Sequence, residues 1–479
     1  MSKAAKAPPE RRPNLIYVFA DQLGYSRCGY AGDTKARTPN IDRLAAQGAN
    51  FINAVSNMPV CSAHRASLFT GKYPTSTGMV INELRMRTDH DCIGHVLTRG
   101  GYRTAYIGKW HLYANQLGHH HEPKNSFTPP GPDRLGFDGY WAAYGFHHGY
   151  YGAYYHTNSP KKILYGKDVY EPDAQTDMAI AQIRKAAAAT DKPFAMFLSY
   201  GTPHDPWVRS NVPDKYAKMF ADVEFPNPPN YKPDNDPYAD GWGRLNPRQR
   251  KDLDKWRRHY YTMTANLDWN IGRLLEAIDR AGMADNTILV FSSDHGEMFG
   301  AQGRRAKNIF YEEAARVPLL VRWPKKVPAK RLADACISTV DIMPTLLGLL
   351  GLKIPNDVEG VDLSHCALGT KGPEPEAAFL QNTGACAAWR DGHEWRALRD
   401  KRYTYAIYRR DRAELLFDNT ADPYQQKNLS ADPAHAETLA RFRNLLKAKM
   451  ASLNDTFQKC TWYRDHWTKD RIILRGAKG

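Results

Sequence analysis

Residues 15–22 read LIYVFADQ. The apolar run has no polar alternation, so it describes a strand covered on both faces, as in a parallel sheet between helical layers. It ends at Asp21 and Gln22, two oxygen-bearing side chains at the strand's carboxyl end. Thr104–Ile107, Phe194–Tyr200 and Ile288–Phe291 repeat the pattern, with Leu319–Val321 as a fifth strand. Helical segments lie between them. Thr38 and Pro39 open NIDRLAAQG with an N-cap and a first-turn proline, and Gly48 closes it. Residues 174–189 are alanine-rich, and apolar residues recur at helical spacing from Asp252 to Ala281. Strands alternating with helices give an α/β fold: a large, mostly parallel (mixed) central sheet sandwiched by helices.

After about residue 370 the texture changes. Trp395–Leu398, Tyr403–Tyr408 and Leu415–Phe417 read as short strands between charged turns, followed by a helix over 434–452. We therefore expect a catalytic α/β domain over 13–370 and a smaller C-terminal subdomain over 371–479, built from an antiparallel sheet and a helix. The stretch 120–170, with its WAAYGFHHGYYGAYY run, has weak periodicity and reads as a long insertion whose aromatic rings offer a sugar platform or ordinary loop packing.

Composition is that of a soluble globular protein, and net charge is +15, which suggests an anionic partner. Nucleic acid, acidic membrane and sulfated or phosphorylated polymers all qualify on charge alone. The seven cysteines are widely spaced, without a CxxC pair, so they form neither a disulfide framework nor a zinc knuckle. The polar N-terminus lacks the apolar core of a signal peptide, and no run approaches the length of a membrane span. The chain reads as soluble: periplasmic or secreted if a leader was removed, otherwise cytoplasmic.

In open α/β sheets ligands bind beyond the carboxyl ends of the strands. Here those ends carry Asp21 and Gln22, then Lys109 and His111, then His204, then Asp294 and His295. Asp21, Gln22, Asp294 and His295 suit one hard divalent cation. Lys109, Lys307 and Arg65 add positive charge, so the pocket favours a small oxyanion and stabilises charge developing on its oxygens. The stretch VCSAHRASLFTGKYP (60–74) puts Cys61 at the mouth of a helix reading from Ser62 to Thr70, with Arg65 one turn on and Gly71 as the stop. A helix N-terminus favours negative charge, which suits a site that holds an anion.

CSAHRASLFTGKYP resembles the signature of the type I, formylglycine-dependent sulfatases of the alkaline phosphatase superfamily. The resemblance continues through FADQLGY, TPNIDRLAAQG, GYRTAYIGKWHL, YGTPHDPW, FSSDHGE, KNIFYEEAARVPLLVRWP and LLFDNTADPYQQKNL, in order along most of the chain. It implies that Cys61 is oxidised to formylglycine, whose hydrate is the nucleophile, with Arg65 steadying it. It implies a metal on Asp21, Gln22, Asp294 and His295, calcium by family habit, with magnesium or manganese also compatible. Lys109 and Lys307 then balance charge on the sulfate. His204 donates to the departing alcohol with Lys307 as its rival, and His111 takes the proton that releases sulfate. The implied partners are a sulfated small molecule or glycan and the enzyme that matures Cys61, with neither nucleic acid nor membrane among them.

Two departures stand out. Ala63 and His64 replace the usual proline and serine, and Gln22 replaces an aspartate, which predicts a weaker hold on the metal. A phosphonate monoester or phosphodiester hydrolase of the same superfamily is the rival enzyme. A non-catalytic polyanion binder fits the charge but leaves Cys61 unexplained. His119, His120, His121, His147 and His148 read as substrate contacts before metal ligands, and Glu297 and Glu312 as supporting groups. Trp389 and His393 are candidates for sugar specificity.

Overall fold

The computed structural model describes residues 12–189 and 191–479; most of the polar N-terminus noted above lies outside them. Eight strands form the central sheet: β1 (Asn14–Ala20), β2 (Ala49–Phe51), β3 (Arg103–Lys109), β4 (Tyr140–Tyr144), β5 (Phe194–Ser199), β6 (Thr287–Ser293), β7 (Leu319–Arg322) and β8 (Arg331–Ala333). Their spatial order is β8-β2-β7-β6-β1-β5-β3-β4. The strands of the sheet run one way except β7, which pairs antiparallel with both β6 and β2. The fifth strand expected from sequence is therefore present but reversed. A short apolar run carries no signal of its own direction, because direction is set by the connection.

The unbroken apolar pattern of β1 has a direct cause. Leu15, Tyr17 and Phe19 enter one core, with Ala63, Ala66 and Phe69 of the helix α1 (Cys61–Thr70). Ile16, Val18 and Ala20 enter the other, with Ile183 of α2 (Glu171–Ala188) and Tyr260, Leu267 and Leu274 of α3 (Leu253–Arg280). Phe69 stacks on Trp110 with centroids 5.3 Å apart. Truncating such a buried ring to alanine costs about 3–5 kcal/mol.

Part of the 120–170 stretch corrects the reading of it as an insertion: Tyr140–Tyr144 is the edge strand of the central sheet, parallel to β3. Its residues YWAAY are nearly all buried, so they show neither strand alternation nor helical period. Tyr144, Tyr150 and Tyr170 are buried as well.

The C-terminal sheet has four antiparallel strands, β9 (Ala378–Asn382), β10 (Trp395–Arg399), β11 (Tyr403–Tyr408) and β12 (Glu414–Asp418), in sequential order. Phe442 and Leu446 of α4 (Ala436–Ser452) pack on one face with Tyr405 and Leu416. Ala378, Trp395 and Tyr408 share a core with Phe310 and Tyr311, which lie just beyond Lys307. The small sheet thus buttresses one wall of the cleft. No described helix is long and apolar enough to cross a membrane.

Candidate active site

β1 sits between β5 and β6, where the chain's path across the sheet changes direction, and the three strands run parallel. Their carboxyl ends therefore open onto one crevice. Asp21, Gln22, Lys109, His111, His204, Asp294, His295 and Lys307 meet there, together with Cys61 and Arg65, and all ten are buried. β3 reaches this edge through Gly108, at φ +100°, where a Cβ would stand 2.0 Å from the carbonyl oxygen of Ser199. No side chain fits that approach, so glycine delivers Lys109 to the crevice.

Cys61 is the first residue of α1, and Asn82 Oδ1 accepts from the Ser62 N–H at 3.0 Å, satisfying one of the helix's open donors. The Cys61 sulfur lies 3.1 Å from Lys307 Nζ, 3.2 Å from His295 Nε2 and 3.7 Å from Asp21 Oδ1. Burial alone would raise its pKa; Lys109, Lys307 and His295, with a hydrogen bond from His111, outweigh burial and hold the thiol well below its usual range. A structural cysteine in an apolar core shows the opposite shift, and Cys92 is pushed up chiefly by burial. His64, one of the departures from the family signature, faces away: its Nδ1 lies 3.0 Å from both Ser56 Oγ and Thr339 Oγ1, and burial lowers its pKa well below the ordinary value. It is a core histidine that pins α1.

Arg65 forms the floor. Its Nη1 donates to the Lys109 carbonyl and Ser199 Oγ, both at 2.7 Å, and its Nη2 lies 3.3 Å from Asp21 Oδ2 and 3.5 Å from Asp294 Oδ2. Lys109 Nζ pairs with Asp21 Oδ2 at 2.5 Å. Burial and the Cys61 charge would raise the Asp21 carboxyl, yet Lys109, His204 and Lys307 together hold it far below the carboxylate range. Asp294 is raised, by burial and by Asp21 beside it.

His204 Nε2 lies 2.8 Å from Lys307 Nζ, and its Nδ1 faces Asp205 Oδ1 at 3.1 Å. Burial and Lys307 lower its pKa, but the charges of Asp205 and Asp21 and the Asp205 hydrogen bond carry it to about 9. The imidazole of His148 stacks on it at 4.2 Å, 5° from parallel; burial and His204 itself keep His148 neutral. On the other side His111 Nε2 lies 3.3 Å from Glu83 Oε1, and its ring stacks on Phe146 at 4.4 Å. Gln22, Glu83, His111 and Asn308 all hold positive φ without being glycine, so the backbone around the crevice is strained where it carries these polar side chains.

Asp21, Cys61, Asp294 and His295 each bring a ligand atom within 4.8 Å of the others'. His295 Nδ1 lies 3.0 Å from the Gly296 carbonyl, which can only accept. A proton on Nδ1 meets that acceptor and turns Nε2 toward the cluster. Asp294 Oδ2 is buried and accepts no hydrogen bond. Oxygen, oxygen and imidazole nitrogen, with one oxygen left open, fit a divalent cation. Gln22 stands beside this group with its amide engaged: Nε2 donates to Glu297 Oε2 at 2.6 Å, and Oε1 accepts from Lys307 at 3.0 Å.

A cavity of about 280 Å³ opens over Cys61 and Lys307. Asn82, Glu83, His148, Asp205, Trp242, Arg305 and Cys386 also line it, and sequence reading singled out only His148 among them. Asp205 was open to inference, since it follows His204 directly. Asn82, Glu83, Trp242 and Cys386 come from segments with no signal of their own. Trp389 and His393, expected to shape specificity, lie outside the lining: Trp389 sits beneath Arg471, and His393 Nδ1 bonds the Tyr238 carbonyl. Among the three consecutive histidines only His120 reaches the cavity, and Glu312 is paired with Arg399 away from it.

The Sulfatase family pattern matches residues 13–352, and that of the C-terminal region of N-sulphoglucosamine sulphohydrolase matches residues 300–452. An ulvan-active sulfatase of Formosa agariphila is 39% identical over 459 residues, spanning 94% of this chain and 84% of its own length. An endo-4-O-sulfatase of Bacteroides thetaiotaomicron is 28% identical, with 98% of each chain aligned. The crystal structure of the Bacteroides fragilis sulfatase yidJ superposes with a TM-score of 0.81 at 30% identity, over 96% of this chain and 99% of that one.

Proposed function

Because the chain belongs to the sulfatase family of the alkaline phosphatase superfamily and is a sulfuric ester hydrolase, we propose that it cleaves a sulfate ester carried by a carbohydrate, with an oxidised Cys61 as its nucleophile. The observation that carries this reading is the Cys61 sulfur, buried against Lys307, His295 and Asp21 at a helix N-terminus, where apolar packing needs no thiol. Relatives named for ulvan and for N-acetylglucosamine-6-O-sulfate support the carbohydrate.

The thiol stands where the formylglycine side chain would stand. That group, as its hydrate, would supply one hydroxyl for attack on sulfur and a second for expelling sulfate, avoiding attack of water on the ester. Asp21, Asp294 and His295, with Gln22 beside them, would hold calcium or a similar cation that neutralises sulfate charge. Lys109 and Lys307, both buried, would place two further charges on the sulfate oxygens. Arg65 ties Asp21 and Asp294 to one position. His204, protonated below about pH 9, donates to the departing alcohol at Nε2. His111 accepts the proton of the second hydroxyl, oriented by Glu83. Cys61 must first meet a maturation enzyme.

Intact-peptide mass spectrometry over residue 61 of turnover-competent protein tests this directly. The expected result is the mass loss of a thiol-to-aldehyde conversion, with hydrolysis of 4-nitrophenyl sulfate outrunning that of phosphonate monoesters and phosphodiesters. An unmodified thiol in fully active protein overturns the nucleophile.

A further inference from the structure

The mouth of the cavity carries a cation that the proposed chemistry does not use. Arg305 lines it two residues before Lys307, and its Nε is buried without a hydrogen-bond partner. Among the described residues its guanidinium forms no hydrogen bond and no ion pair. The adjacent Arg304 differs in both respects, being buried and paired with Asp236 at 2.9 Å. Asp205, the carboxylate that shares the lining with Arg305, pairs with His204 at 3.1 Å and, like Glu297, meets the Arg305 charge without an ion pair.

Arg305 is nevertheless held in place. Its guanidinium lies over the ring of Trp256, 5.1 Å from the centroid, and its backbone N–H donates to the Gly243 carbonyl at 2.9 Å. That bond ties it to the turn presenting Trp242, which also lines the cavity and is 53% exposed. An aromatic ring and a guanidinium with open donors thus stand together at the rim, while Cys61 at the base is 1% exposed.

We propose that Arg305 and Trp242 form a second subsite, which binds an anionic substituent on the sugar next to the one bearing the scissile sulfate. A guanidinium presents paired N–H donors in a plane that matches a carboxylate or a sulfate. Stacking on Trp256 restricts its rotation before the ligand arrives, which lowers the entropic cost of binding. The Trp242 ring offers an apolar face to the sugar ring beside it. The subsite rests on the proposed hydrolysis at Cys61, and it narrows the substrate to a glycan with a second negative group near the ester. Carboxylate and sulfate share the chemistry that Arg305 recognises.

The test uses matured enzyme and competition against 4-nitrophenyl sulfate. Three disaccharides carry the same sulfate ester: one with a neighbouring uronate, one with that carboxyl reduced to the alcohol, and one with a second sulfate in its place. The charged pair should compete about tenfold more strongly than the reduced one, and the stronger of the pair identifies the anion. R305A should remove that preference, R305K should restore part of it, and W242A should weaken all three probes alike. Both alanine variants should keep kcat/KM for 4-nitrophenyl sulfate. Equal competition by the three, no competition by any, or an R305A that keeps the preference would overturn the subsite. Matured protein that releases sulfate from neither 4-nitrophenyl sulfate nor any of the disaccharides would break the hydrolytic reading instead; calorimetric titration of the same disaccharides would then decide the subsite by itself.

Discussion

Arg65 in the crevice and Arg396 in the C-terminal sheet are both fully buried, yet they are treated in opposite ways. Arg396 is satisfied throughout. Its Nε and Nη2 grip Asp455 at 2.5 and 2.7 Å, its Nη1 donates to the carbonyls of Asn382 and Trp395, and its plane lies over Phe457 at 4.5 Å. Arg65 is shared between two carboxylates at 3.3 and 3.5 Å, and its Nε has no partner. Around it like charges crowd together, Asp21 against Asp294 and Lys307 against His204. A complete polar network in a low dielectric rigidifies the chain, whereas an incomplete one is costly and persists where a ligand completes it. The C-terminal network holds the fold, and the crevice, with its open polar atoms, is arranged to take a ligand.

The sharpest way to break this contrast is Cys61→Ala. We expect hydrolysis of 4-nitrophenyl sulfate to fall by about 10⁴-fold or more, with little change in thermal midpoint. A large loss of stability without loss of turnover would make the crevice a structural network after all. Asp455→Ala should do the reverse, leaving the Arg396 charge buried and unpaired and costing about 3–5 kcal/mol. Urea denaturation reads that cost, and turnover per folded molecule should stay at the parent level.

Asp205→Asn sharpens the contrast within the site. The Asp205 charge helps lift the His204 pKa to about 9, above its ordinary 6.5, so the protonated donor survives through neutral pH and is lost as pH rises through 9. By the same sign, the stability contributed by this group is fully present below pH 6.5 and gone above 9. The variant should move the alkaline limb of the kcat/KM profile to lower pH and reduce the rate by up to about 10²-fold. An unmoved limb would remove His204 from the proton transfer. The smallest effect is expected from Gln22→Asp, which adds a carboxylate beside Asp21 and Asp294 and should tighten calcium severalfold in a chelator titration. Equal affinity would mean that Glu297 and Lys307 hold position 22 away from the ion.

Much of the site was legible because it follows strand ends. Asp21 and Asp294 come directly after an apolar run, Lys109 closes one and His204 lies in the short loop beyond another, and a parallel sheet sends such residues to one edge. Their companions were not legible. Glu83 meets His111 across 28 residues and His148 meets His204 across 56, through contacts that depend on loop paths. The strand Ala378–Asn382 escaped notice because it follows a proline-containing turn and has no alternation. Tyr140–Tyr144 escaped because both of its faces are covered.

By itself, the sequence determined the class of fold and the chemical inventory of the crevice, since continuous apolar strands and the residues that follow them are local properties. Only the tertiary structure decided the reversal of Leu319–Arg322, the engagement of Gln22 by Glu297 and Lys307, and the meeting of Arg305 and Trp242 in the lining of one cavity. The reason is physical: burial and charge at a point in space sum over segments distant along the chain, and no stretch of residues carries that sum alone.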